Sequence, residues 1–157
     1  MRSYLRNYVD STCYRMSNNH PVDTIPTFAD GVLKCRGYGA RLWEPRVIAA
    51  ITMVQEAELN PGHYYNVTGN SLTAIGIILD LTVLPGPGEM PAAKFRSDGQ
   101  DVPKVLMEAF PWEVGYPIVT DPLALCVAFG NGSMINAPCA GYFEGIRTAN
   151  SNGGTSE

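Results

Sequence analysis

Glycine and proline interrupt this chain so often that long, regular helices or strands have little room. The 157 residues include sixteen glycines and twelve prolines. Glycine tolerates backbone angles that other residues avoid, whereas proline restricts its own angle and donates no backbone hydrogen bond. A chain of this length still buries a core without a disulfide or metal. We therefore expect one compact α+β domain with many turns and much irregular backbone.

Charge is distributed unevenly along the sequence. Residues 1–46 carry seven basic and four acidic side chains, whereas residues 47–157 carry four basic and eleven acidic ones. A positive segment on an acidic body attracts an acidic partner, or the body of a second copy. This asymmetry favours a non-enzymatic structural protein that assembles with copies of itself or with another protein. A capsid-associated or connector component of a virus or phage particle fits that hypothesis.

The N-terminal region is predicted to form an amphipathic helix followed by an arm. Apolar residues recur at helical spacing over 2–17. Residues 18–43 contain several prolines and glycines, and they predict an irregular arm with one short strand near Val32–Cys35. The resulting division is a helix and arm over 1–44, a globular core over 45–148 and a polar tail over 149–157. The predicted interface residues are Arg2, Arg6, Tyr8, Arg36, Tyr38, Arg41 and Trp43.

Two helices are predicted in the core. The first covers 45–59, because Pro45 suits the first helical position and Pro61 ends the run. The second covers 101–110 and stops before Pro111. Residues 70–83 fit either a helix or a buried strand, and their helical spacing favours the helix.

Strands are predicted near the C-terminal end of the core. Alternating apolar residues over 112–118 indicate a strand. An Asn-Gly pair at 131–132 lies between the apolar runs Leu123–Phe129 and Ser133–Ala137, which predicts a hairpin. A helix that begins at Asp121 and closes at Gly130 is the alternative for the first run. The predicted core is therefore a mixture of helices and a hairpin.

One local motif suggests catalysis. Glu56 lies near a predicted helix end and is followed by Leu59-Asn60-Pro61, and an Ala-Ile-Gly-Ile-Ile stretch comes at 74–78. This pattern resembles the segment around the catalytic acid of lytic transglycosylases and related phage lysozymes, although Leu79 stands where those families have glutamine. The resemblance implies a lysozyme-like glycan hydrolase with Glu56 as general acid. A small module that binds a ligand or a protein is a second alternative, because glycine- and proline-rich loops with aromatic residues suit it.

Other classes lack the residues they need. Two histidines and four cysteines occur in no metal-binding spacing, so we expect neither metal nor cofactor. The net charge of −4 disfavours nucleic acid as a partner, and no uninterrupted apolar stretch is long enough to span a membrane. The first residues do not resemble a signal peptide. We therefore expect a protein in the cytoplasm, or in a particle assembled there, with four free thiols.

Overall fold

A computed structural model describes residues 5–7, 12–16, 27–37, 39–52, 73–130, 132–141 and 145–150. These residues form a small α+β domain around one sheet. Its eight strands are β1 (Leu5–Asn7), β2 (Thr12–Met16), β3 (Arg41–Leu42), β4 (Thr73–Asp80), β5 (Ala92–Phe95), β6 (Cys126–Gly130), β7 (Ser133–Ala137) and β8 (Gly145–Asn150). The helices are α1 (Phe28–Gly37) and α2 (Lys104–Ala109), with a further helical segment at 48–52.

The sheet is mostly antiparallel. Its strand order is β1-β2-β8-β4-β6-β7, while β3 pairs with β8 and β5 pairs with β4. The contact between β4 and β8 is the parallel one. Strand β4 therefore lies at the centre, with β5, β6 and β8 as its hydrogen-bonded neighbours.

Strand β4 is buried on both faces. Ile75, Ile77 and Leu79 lie in a first core with Trp43, Phe95, Met107 and Phe129. Ala74 and Ile78 point the opposite way, into a second core with Phe28, Cys35, Leu42 and Cys126. A strand covered on both sides is apolar at nearly every position, so its sequence does not alternate. The favoured helix over 70–83 is therefore wrong for the described residues 73–80, and the buried-strand alternative is confirmed there.

The N-terminal predictions are also corrected. Strands β1 and β2 form an antiparallel pair, and β2 pairs in turn with β8, so an amphipathic helix over 2–17 is wrong for the described strands. The backbone partner that favours β2 lies more than 130 residues away in the chain, where local periodicity cannot detect it. The division into 1–44, 45–148 and 149–157 stays a prediction.

A helix replaces the predicted strand near Val32–Cys35. Thr27 precedes α1, and its hydroxyl accepts a hydrogen bond from the backbone N–H of Asp30 at 3.3 Å. The same hydroxyl donates to the Asp30 carboxylate at 2.8 Å. This Thr-x-x-Asp arrangement satisfies a donor that every helix start leaves free. The predicted arm therefore contains a capped helix at Phe28–Gly37.

Several predictions near the C-terminus are confirmed. Strands β6 and β7 form the predicted hairpin, with Gly130 opposite Ser133. Helix α2 lies inside the predicted range 101–110. Residues 48–52 are helical as expected from the 45–59 prediction, but the predicted start at Pro45 is wrong, because residues 45–47 are not helical. Residues 53–59 lie outside the described residues. The strand predicted over 112–118 is wrong, because only Trp112 makes an isolated bridge to Met134.

The expectation of four free thiols is wrong for two cysteines. Cys126 begins β6, and Cys139 lies just beyond the end of β7, so the hairpin places their Cα atoms 5.0 Å apart and they form a disulfide. That separation is typical of disulfides. Cys35 is buried with a free thiol, in the same second core. The cytoplasmic location stays a prediction.

Candidate ligand-binding site

The chain between β4 and β6 forms a long connection, residues 81–125. It contains β5 and α2, and its other residues are mostly turns and extended segments. Loops positioned by a rigid sheet are where proteins most often place binding residues. Five of the seven exposed large hydrophobic side chains among the described residues belong to this connection. They are Val83, Leu84, Val105, Val114 and Leu123.

Asn136 anchors the end of the long connection to the hairpin. Its side chain is polar but only 3% exposed, in strand β7 beside Met134, Ile135 and Ala137. The side-chain oxygen accepts a hydrogen bond from the backbone N–H of Ile118 at 2.7 Å. The amide nitrogen donates to the carbonyls of Ile118 and Ala124, at 2.7 and 2.8 Å. One buried amide therefore ties two points of the connection to the sheet.

Glu44 anchors the turn that follows β5 within the connection. Its carboxylate is buried and accepts hydrogen bonds from the backbone N–H and the hydroxyl of Ser97, both at 2.7 Å. Arg46 donates to the same carboxylate at 2.7 Å and to Asp98 at 3.0 Å, and it lies 4.1 Å from the centroid of the Phe95 ring. Burial disfavours the Arg46 cation, but the hydrogen bonds and charges of both acids outweigh this and raise its pKa. The turn after β5 is thereby locked to the segment after β3.

A close approach at Gly76 makes this arrangement possible. A Cβ atom on Gly76 would lie 2.7 Å from Cγ of Glu44 and 3.2 Å from the carbonyl oxygen of Leu42. The Gly76 backbone N–H also donates to the carbonyl of Trp43 at 2.7 Å. Only glycine lets the buried carboxylate pass so close to the central strand.

A concave feature with converging charged groups lies beside the ends of β4 and β5. We call it cavity A. It has a volume of about 520 Å³. Its lining residues are Ile78, Leu79, Asp80, Leu81, Thr82, Lys94, Phe95, Arg96, Gly99, Pro122 and Leu125. Small-molecule sites are typically concave, mostly apolar and provided with a few polar groups, and cavity A has this character.

The polar side chains of cavity A are already oriented. Asp80 accepts hydrogen bonds from the hydroxyl of Thr82 at 2.6 Å and from its backbone N–H at 3.1 Å. These bonds lower the pKa of Asp80, so its carboxylate is ionised at neutral pH. Lys94 donates to Asp101 at 2.7 Å, and this hydrogen bond raises the pKa of Lys94. Cavity A therefore presents an oriented acceptor and a cation above an apolar floor.

A second opening, cavity B, lies further along the connection. It has a volume of about 580 Å³ and is lined by residues 85–91 with Gly115, Tyr116, Pro117 and Val119. Its one charged lining residue is Glu89. Cavity B therefore offers fewer charged contacts than cavity A.

The residues predicted from sequence do not converge at these cavities. Trp43 lies entirely in the first core, with its ring 5.9 Å from that of Phe129. Arg36 is exposed in the last turn of α1, and Arg41 approaches Glu44 at 3.8 Å. Arg6 lies in β1. Glu56, Arg2, Tyr8 and Tyr38 lie outside the described residues, so their roles stay predictions.

Sequence reasoning missed the residues that shape the candidate site. Asp80, Lys94 and Arg96 come from two strands and the turn that follows, and nothing in their spacing indicates that they meet. The sequence contained one indication of the role of Asn136, because this polar residue follows the apolar Met134 and Ile135 within the predicted hairpin. Such residues are retained where the side chain has specific partners.

The described residues offer little to a metal ion. No group of three or more His, Cys, Asp or Glu side chains among them converges closely enough to hold one. They therefore do not supply the carboxylate-rich donor set that calcium prefers. None of the described helices is both long and apolar enough to cross a membrane.

Comparisons with known proteins give a fold but no close relative. No family model and no curated protein matches the sequence. Human lithostathine matches with 18% identity and a TM-score of 0.64, over 95% of this chain and 97% of that one. The carbohydrate-recognition domain of the mouse scavenger receptor C-type lectin matches with 17% identity and a TM-score of 0.63, over 94% and 93%. The C-type lectin domain of murine dendritic cell inhibitory receptor 2, solved with an N-glycan, matches with 16% identity and a TM-score of 0.64, over 96% and 97%.

These neighbours correct two hypotheses from the sequence. They point away from a virus or phage assembly protein and away from a lysozyme-like hydrolase, and toward the ligand-binding alternative. Charge asymmetry and a short Glu56 motif were weaker signals than the arrangement of the whole chain. At this level of identity the likeness shows architecture: the chain folds as C-type lectin domains do.

Proposed function

We propose that this domain is a saccharide-binding module and that cavity A is its binding site. The observation that carries the proposal is the cavity itself, where an apolar floor meets Asp80, Thr82, Lys94 and Arg96. The fold supports it, because two structural neighbours are C-type lectin domains, one named as a carbohydrate-recognition domain and one solved with an N-glycan.

The chemistry of cavity A suits a sugar ring. A pyranose has apolar C–H faces and a rim of hydroxyls, so it needs an apolar floor and directed hydrogen-bonding groups. The carboxylate of Asp80 accepts from hydroxyls, and the cations of Lys94 and Arg96 donate to ring and hydroxyl oxygens. Hydrogen bonds to charged groups are stronger than neutral ones. These direct contacts involve no metal.

Two exposed apolar side chains, Val83 and Leu123, form an apolar rim that extends the candidate binding surface beyond the area of one sugar ring. Val83 follows the lining residue Thr82 in the chain, and Leu123 follows the lining residue Pro122. Both side chains are largely exposed, at 79% and 70%. Exposed apolar side chains next to a cavity commonly mark an interaction site. A glycan bound in cavity A would cover part of this rim.

A glycan array tests the proposal. The wild-type domain is compared with Asp80→Ala, which removes the oriented acceptor, and with Glu108→Ala, an exposed acid on α2 outside the cavity. We expect wild type and Glu108→Ala to bind the same glycans, and Asp80→Ala to bind them about 10-fold more weakly or worse. Thermal unfolding of all three proteins controls for folding.

Two results would contradict the proposal. One is a folded wild-type domain that binds no glycan on the array. The other is glycan binding that survives Asp80→Ala unchanged, which would place the site elsewhere.

A further inference from the structure

We infer that cavity A selects saccharides that carry a negative charge, namely a carboxylate or a sulfate. This inference rests on the proposed function and specifies its ligand. It comes from the balance of charges around the cavity, where one cation has no acidic partner among the described residues.

The acids around cavity A make their hydrogen bonds to groups other than Arg96. Asp80 is held by Thr82 at 2.6 Å, and Asp98 is bonded to Arg46 at 3.0 Å. Asp101 is bonded to Lys94 at 2.7 Å. Among the described residues, no acid makes an ion pair with the Arg96 side chain, and Asp80 is the one acid in the cavity lining.

Arg96 is placed to meet a ligand. Its backbone N–H donates to the carbonyl of Gly76 at 3.0 Å, which holds the residue beside the central strand. Its side chain lines cavity A and is exposed, and it makes no ion pair with any side chain that the structure describes. The planar guanidinium presents two parallel N–H donors, which match the oxygens of a carboxylate or sulfate.

Lys94 strengthens the same preference. Its side chain is 47% exposed and its partner Asp101 is 81% exposed, so the bond between them lies in solvent. An ion pair of this kind contributes little and exchanges readily with another anion. Cavity A is therefore lined by two cations and one acid, on a chain whose net charge is −4. The Arg96 cation, unpaired among the described residues, attracts an anionic ligand locally.

The test uses ligands that share the lactose unit and differ in the anionic group attached to it. Binding of lactose, sialylated lactose and sulfated lactose to the full chain is measured by titration calorimetry at low salt. We expect the two acidic sugars to bind about 10-fold more tightly than lactose or better, with a difference that shrinks as salt rises. The affinities of the sialylated and the sulfated sugar show whether cavity A accepts a carboxylate or a sulfate better.

Variants test whether Arg96 is responsible for the preference for acidic sugars. Arg96→Gln removes the charge but keeps a hydrogen-bonding side chain, and Arg36→Gln removes an exposed charge from α1 as a matched control. We expect Arg96→Gln to lose the preference for acidic sugars, so that lactose and its acidic derivatives bind with similar affinities, and Arg36→Gln to behave as wild type. Arg96→Lys should keep part of the preference, because it retains the charge but not the planar donors.

The outcomes distinguish a failure of this inference from a failure of the proposed saccharide-binding function. If lactose binds as tightly as its acidic derivatives, the charge selectivity is wrong and the saccharide-binding function stands. If the acidic preference survives in Arg96→Gln, the assignment to Arg96 is wrong. If no sugar of the glycan array binds, the proposed function fails, and this inference fails with it.

Discussion

Replacing Asn136 with alanine should loosen the long connection and destabilise the domain. The side chain makes three hydrogen bonds to backbone groups, at 2.7, 2.7 and 2.8 Å. Ala124 is 3% exposed, so its carbonyl would lose its side-chain partner in a place that water barely reaches. An unsatisfied buried group costs about 1–3 kcal/mol. Ile118 is only half-buried, so water can compensate part of its loss.

These contributions give a total loss of about 3 kcal/mol in the free energy of unfolding. A typical domain has only about 5–15 kcal/mol in all. The loss should therefore be plain in urea denaturation followed by circular dichroism. Asn136→Asp should cost at least as much, because it replaces the amide donor with an oxygen that faces the carbonyls of Ile118 and Ala124.

Amide hydrogen exchange gives the local readout. The Ile118 N–H donates to the Asn136 side chain, so its exchange should accelerate in Asn136→Ala by more than the global loss of stability explains. Gln100→Ala, an exposed amide just beyond the turn at 96–98, is the matched control and should behave as wild type. A variant within about 0.5 kcal/mol of wild type, with Ile118 still protected, would refute the anchoring role.

Three further predictions follow from buried groups. Gly76→Ala should lower the free energy of unfolding by roughly 1–3 kcal/mol and lower the urea midpoint, because its Cβ would lie 2.7 Å from Cγ of Glu44. An unchanged urea midpoint would contradict this prediction. Thiol counting under denaturing, non-reducing conditions should find two free thiols rather than four, and reduction should remove roughly 3 kcal/mol, because Cys126 and Cys139 close a loop of 13 residues. Burial raises the pKa of the Cys35 thiol from 9.0 to about 12, and the charge of Arg96 opposes this with a smaller effect. The thiol should therefore resist iodoacetamide in the folded protein. Since only the unfolded thiol ionises between those two pKa values, stability should fall with rising pH from about 9 to 12, and a Cys35→Ala variant should show a shallower fall.

Local sequence signals determined the elements that depend on near neighbours. The Asn-Gly pair between two apolar runs predicted the β6–β7 hairpin, because such a turn needs residues that accept unusual backbone angles. Pro111 correctly ended the helix that became α2, since the residue before a proline avoids helical angles. The Thr27-x-x-Asp30 cap of α1 is likewise a local signal, because both of its residues lie within one helical turn.

The tertiary structure decided the elements whose partners are distant. Residues 73–80 carry apolar side chains at a helical spacing and also fill two cores, and only the presence of both cores makes them a strand. Strand β2 exists through its pairing with β8 at the other end of the chain. Cavity A likewise joins residues from 78–82, 94–99 and 122–125, which are adjacent only after folding.

The difference has a physical cause. Turns and caps are stabilised within a few residues, so composition and spacing determine them. Burial on two faces, strand pairing across the chain and the balance of charges around a cavity depend on contacts between distant segments, which spacing does not encode. The sequence by itself therefore determined a mixed α+β domain with its hairpin and α2, whereas only the tertiary structure showed the C-type lectin architecture and the charged cavity beside its central strand.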